Sequence, residues 1–232
     1  MSDVIPVLLF LCLAGTFTLV PLLGPRRAQR HCREALRALQ ARYGFTPEPD
    51  GHQLSELSSL PPFHYGRRRR VVDPVRGAFA GLPAEVFGYT CEENGTAHWY
   101  LVAMVRLGRT LPPFEVQHEP VFTSSKVHYT WTDDRQETGV AEFDATHRAA
   151  SPDERLSRTL ITPGLARTLM AAPETFDLRI EGGLLVLWRR DGWSDSGALV
   201  DCCLTAVHAL AQVLDLDPDQ FDAPRSIPGQ GG

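Results

Sequence analysis

The side chains able to do chemistry are plentiful but scattered. Eight histidines could ligate a metal, yet no two stand at i and i+4 with a Glu between them, and no Cys-x-x-Cys occurs. His118 and His128 fall near strands that could neighbour one another, where Glu115, Glu119 and Asp144 could complete a metal or acid–base site. A nucleophile elbow, a phosphate-cradling P-loop and a dinucleotide-binding glycine pattern are all missing from the sequence. Cys202 and Cys203 sit in an apolar-periodic stretch and read as small packed hydrophobes, and Trp99, Trp131, Trp188 and Trp193 read as core anchors. No catalytic residue, cofactor or metal follows from these patterns. An anchored hydrolase that gathers carboxylates and histidines from distant strands stays open as the alternative to a non-enzymatic binding or scaffolding domain.

The arginines are different, because their spacing is regular. Arg26, Arg30, Arg33 and Arg37 recur at steps of three and four, about 140° round a helix from a second stripe of Ala28, Cys32, Ala35, Leu36, Leu39 and Tyr43. Pro25 suits a first helical position and Gly44 a terminator, so residues 26–44 are expected to form an amphipathic helix. Its apolar stripe could dock on a domain, pair with a second copy or lie on a bilayer. Arg26, Arg27, Arg30, Arg33 and Arg37 are the candidate lipid-facing residues, with anionic head groups as the expected partner.

What precedes this helix explains why lipid is the partner considered. From Val4 to Pro25 the chain runs 22 residues without a charge, about 33 Å as a helix and enough for a bilayer core. Only Ser2 and Asp3 lie between Met1 and this stretch, so the positive region of a cleaved signal is missing and residues 1–25 read as a retained anchor. Arginines follow the span closely, which puts the N-terminal side outside and the bulk of the chain in the cytoplasm, at the plasma membrane. Five Cys without a spaced framework agree with a reducing compartment, and Asn94-Gly95-Thr96 is then an accidental glycan triplet.

Charge is segregated. Residues 26–70 hold ten Arg against Glu34, Glu48, Asp50 and Glu56, a net of +6, whereas residues 71–232 carry a net of −10. Basic charge confined to one strip of an otherwise acidic chain argues against a nucleic-acid partner and leaves lipid or protein.

The remaining elements follow from periodicity. Residues 45–70 read as a polar, Pro-rich linker closed by the run Arg67 to Arg70, a solvated or lipid-facing loop. An α+β, mostly antiparallel domain is expected over 71–214. Its strands are expected at 76–91 and 98–107, joined by a turn at Glu92-Glu93-Asn94-Gly95, then at 114–118, 126–131 and 138–144. A helical stretch opens at Ser151 and is interrupted at Thr162-Pro163-Gly164. A hairpin over 175–190 turns at Gly182-Gly183, and an amphipathic helix over 196–214 covers the sheet. Residues 215–232 read as a disordered tail.

Several of these segments also carry a likeness. Gly66 onward, Gly77 to Tyr89, Leu111-Pro112-Pro113-Phe114-Glu115-Val116, Leu160 with Thr162-Pro163 and Leu165, and Glu181-Gly182-Gly183-Leu184-Leu185 are the matching stretches. Through them the chain resembles an actinobacterial-type group of bacterial single-pass membrane-anchored proteins that share a domain of unknown function. The resemblance covers most of residues 66–214 and implies the layout above. It brings no catalytic residues.

Overall fold

The computed structural model describes residues 28–48, 62–63, 66–118, 136–151, 154–171, 176–190, 204–205 and 207–208. The apolar segment 4–25, Arg26, Arg27, the expected strand at 126–131 and the tail 215–232 lie outside them. Among the described residues no helix is long and apolar enough to cross a membrane.

The described residues build a six-stranded antiparallel sheet flanked by helices. Helix α1 (28–43) leads through Gly44 into a two-residue edge strand β1 (Thr46–Pro47), followed by β2 (Arg67–Phe79), β3 (Leu82–Glu93) and β4 (Thr96–His118). Short helix α2 (Ala141–Asp144), β5 (His147–Ala150), α3 (Glu154–Leu160), α4 (Pro163–Ala171) and β6 (Asp177–Arg190) complete the order. The 23-residue β4 is the spine: β6 pairs along one edge from Tyr100 to Val116, and β3 then β5 occupy the other.

Two bulges let that spine keep one face in the core. Along β4 the buried apolar positions are Leu101, Ala103, Val105 and Leu107, then Phe114 and Val116; along β6 they are Leu178 and Ile180, then Leu185 and Leu187. Both strands change parity where their register shifts, between Arg106 and Phe114 opposite Gly182, because an extra residue flips every later side chain. The expected hairpin at Gly182-Gly183 is therefore absent. Gly182, at φ +58, serves a bulge in one continuous strand whose two halves pair with the same partner.

Three further expectations are corrected. The stretch 76–91 is split by a two-residue turn at Ala80-Gly81 with φ +50 and +77, a type I′ geometry that Ala seldom signals. Residues 138–144 start a helical turn rather than a strand, since Gly139 at φ +88 breaks extension and Asp144 Oδ1 accepts from Thr138 N (3.1 Å) and Oγ1 (2.9 Å). Arg67 to Arg70 are the first residues of β2, not a loop. The turn at Asn94-Gly95 and the break before α4 stand as expected, with Thr162 Oγ1 accepting from Leu165 N at 3.2 Å and Pro163 in the first helical position.

The packed unit also begins earlier than residue 71. Cys32, Ala35, Leu36, Leu39 and Phe45 belong to the main core, which α1 to α4 cover together with Leu204 and Val207 of a further helical segment. Burying Leu36 and Leu39 alone contributes roughly 2 kcal/mol each. On the opposite face a smaller cluster gathers Phe63, Phe87, Tyr89, Tyr100, Val102, Met104, Val186 and Trp188. There the Phe63 carbonyl accepts from the Tyr89 hydroxyl at 3.0 Å and from Arg69 at 2.7 Å.

Candidate lipid-facing surface

Helix α1 divides cleanly into two faces. Cys32, Ala35, Leu36 and Leu39 are buried in the main core, and Ala28 is buried too, so of the three possible uses of the apolar stripe the structure shows docking on the domain. Tyr43, placed on that stripe by its spacing, is 39% exposed past the end of the contact. Contact is close: a Cβ on Gly88 would lie 2.8 Å from the Cys32 sulfur, and one on Gly77 only 2.6 Å from the Phe45 ring. Burial pushes the Cys32 thiol up to about 12, which makes it a packed hydrophobe rather than a nucleophile.

Arg30, Arg33 and Arg37 occupy the outward face and line a shallow trough with Gln29 and Glu34. Arg30 Nε donates to Glu34 Oε1 at 2.8 Å, and this bond holds the Glu34 carboxyl below its ordinary range. Arg33 Nε donates to Asp73 Oδ2 on β2 at 2.9 Å, tying the basic face to the sheet. These pairs are exposed and worth little to stability. Their consequence is positional: a cationic stripe is held in fixed orientation against a rigid sheet.

The catalytic alternative fares differently. His128 and Glu119 lie outside the described residues, and Asp144 is committed to the Thr138 turn. His118 and Glu115 do come together with residues that spacing alone left unconnected. His118 faces His147 across β4 and β5, ring centroids 5.1 Å apart, and His147 stacks on Phe143 at 4.4 Å. The His118 N–H donates to Asp177 Oδ1 at 3.1 Å. Glu115 and Arg179, both fully buried, are direct partners across β4 and β6; Gln117 donates to Glu115, and the Arg179 guanidinium lies 5.8 Å from the Trp188 ring centre.

Burial decides the charge states of this group. His147 is lowered to about 4 by burial and then by His118, while His118 itself is lowered by burial. Asp177 is pushed up to about 7, by burial first, with Glu115 adding to it against the His118 hydrogen bond. Glu115, Gln117, His147 and Arg179, carried on β4, β5 and β6, are all buried. Among the described residues no three His, Cys, Asp or Glu side chains are grouped to hold a metal ion. Sequence alternation in Asp177, Arg179 and Glu181 put these three on one face, but only the β4–β6 register reveals that Arg179 meets Glu115.

Comparison with known proteins adds a fold relation. No family model matches the chain, and no curated protein sequence does. Among solved structures, that of the mycobacterial trehalose monomycolate transport factor A, TtfA, is similar over 82% of this chain and 95% of that one, with a TM-score of 0.53 and 14% identity. The likeness is one of fold.

Proposed function

We propose that this chain is a single-pass plasma-membrane protein whose sheet unit works without catalysis, as a cytoplasmic binding or scaffolding domain. In this reading residues 4–25 cross the bilayer with the N-terminal side outside, and α1 joins the span to the sheet. One observation carries it: the helix that follows 22 uncharged residues in sequence is docked on the sheet by its apolar face, with Arg30, Arg33 and Arg37 turned outward. A docked helix makes the domain a rigid continuation of whatever the preceding segment enters. Arg26 and Arg27 extend the basic strip toward the span, where each arginine gains about 1 kcal/mol near an anionic leaflet. The neighbouring fold of a transport factor supports an accessory role, in which the domain holds a membrane partner in place.

Carbonate extraction of membranes tests the reading. The full chain should stay in the membrane pellet, and a chain lacking residues 1–25 should be released folded. Release of both, or retention of both, would contradict the anchor.

A further inference from the structure

We infer that the end of the sheet formed by Arg67–Arg70 and the Asn94-Gly95 turn is a second lipid-contact surface, which takes the anionic head groups of the leaflet that the anchor enters. The inference rests on the membrane-anchored reading and adds to it the orientation of the domain.

The direction of α1 relative to β2 is set by three contacts. Cys32 packs at Gly88, whose register partner is Val72; Arg33 pairs with Asp73; Phe45 covers Gly77 and meets Phe79, ring centres 5.2 Å apart. Helix and strand therefore run the same way. At about 1.5 Å per helical residue, Ala28 lies roughly 6 Å back from Cys32. At about 3.3 Å per strand residue, Arg70 to Arg67 lie roughly 7 to 16 Å back from Val72. The four arginines thus stand level with Ala28, the first described residue of α1, and beyond it.

All four are exposed. Arg68 is braced by Glu92 at 2.9 Å and Arg69 by the Phe63 carbonyl, while Arg67 and Arg70 project from the same rigid strand. A row across the sheet, Arg70 to Thr90 to Trp99, puts an indole beside the basic end, the pairing typical of a membrane interface. The backbone pairs Tyr100↔Arg190 and Leu101↔Arg189 of β4 and β6 lie toward the same end of the sheet. Acidic groups are present too, but Glu92 is engaged by Arg68 and Glu93 lies 3.9 Å from His98. Arg37 lies on the far side of Cys32, roughly 14 Å along the axis from Arg70 by the same rises, which exceeds the Debye length of about 8 Å in physiological salt. A leaflet that touches the sheet end is thus felt strongly by Arg67 and Arg70 and weakly by Arg37.

Hydrogen exchange on the full chain in nanodiscs separates these surfaces. Discs of phosphatidylcholine are compared with discs containing about one-third phosphatidylglycerol, an anionic lipid. Exchange over 66–72 and 92–97 should slow by roughly tenfold on anionic discs only, with the distant turn at 79–82 unchanged, since two arginines at such a surface shift docking by about thirtyfold. Arg67→Gln with Arg70→Gln should erase the difference, and Arg167→Gln, exposed on α4, should leave it. Equal exchange on both discs, or lipid-dependent protection confined to α1, overturns the inference while the anchor stands. A chain that fails to enter discs at all overturns both.

Discussion

The contact between Cys32 and Gly88 offers a sharp test of how α1 is held. A methyl placed on Gly88 would sit 2.8 Å from the Cys32 sulfur, with the Val72 carbonyl at 3.4 Å and its Cβ at 3.5 Å. The sulfur would have to retreat by about 1 Å in a core without slack, which costs about 1–3 kcal/mol. Strand backbone entropy returns about 0.5–1 kcal/mol of this, so Gly88→Ala alone should destabilise by about 1–2 kcal/mol. Cys32→Ala alone removes one buried sulfur and should cost about 1 kcal/mol. In the double variant the new methyl fills the space the sulfur left. Its stability should return close to that of the parent, a favourable coupling of about 2–3 kcal/mol. Urea unfolding of the chain in detergent, followed by tryptophan fluorescence at constant m-value, measures all four corners of the cycle. Additivity within about 0.5 kcal/mol, or a neutral Gly88→Ala, would refute the docking of α1 at this place.

Other expectations follow from the same core. Folded protein should resist alkylation at Cys32 at pH 8, by more than about a hundredfold relative to urea-unfolded chain, because the thiolate is suppressed; rapid labelling would show α1 detached. A chain starting at residue 26 should melt cooperatively in water, whereas one starting at Thr46 exposes the surface that Leu36 and Leu39 cover and should lose that transition on a calorimetric scan. Stability should respond to pH through two opposed groups. Below about 6.5 the unfolded chain protonates His147 before the folded chain does, so stability falls as pH drops to about 4; the folded chain keeps the Asp177 proton that the unfolded chain sheds, so stability falls as pH rises from about 4 to 7. Asp177→Asn should expose the first slope and His147→Phe the second, each a few kcal/mol at 1.36 kcal/mol per unit; unchanged pH profiles in both variants would contradict the assigned charge states.

The sequence was most legible where a single element decides its own form. Helix α1 announces itself by two stripes, Asn94-Gly95 by the turn chemistry that positive φ demands, and α4 by Thr162 and Pro163. Legibility failed where a partner decides. Gly182-Gly183 would turn a free hairpin, but a long β4 alongside offers both halves a continuous ladder. Ala80-Gly81 turns because the β2 and β3 ladders close around it from Phe79↔Leu82 onward, although Ala has little liking for φ +50. Four consecutive arginines looked unsuited to a regular element, yet a strand sends them to alternate sides, and a bulge with Arg68 at φ +50 relieves their crowding. The outward-facing arginine stripe of α1 could be named from spacing. That the same helix is anchored by Asp73, and that Glu115 meets Arg179, needed the register.

In the proposed topology the chain crosses the membrane once and carries its sheet unit on the cytoplasmic side. Paired reporters fused after Gly232 in the native host address it directly, one active only in the cytoplasm and one only outside the membrane. Signal is expected from the cytoplasmic reporter alone, lost from the membrane fraction when residues 1–25 are deleted. Signal from the outer reporter, or a mature chain cleaved after residue 20, would contradict it.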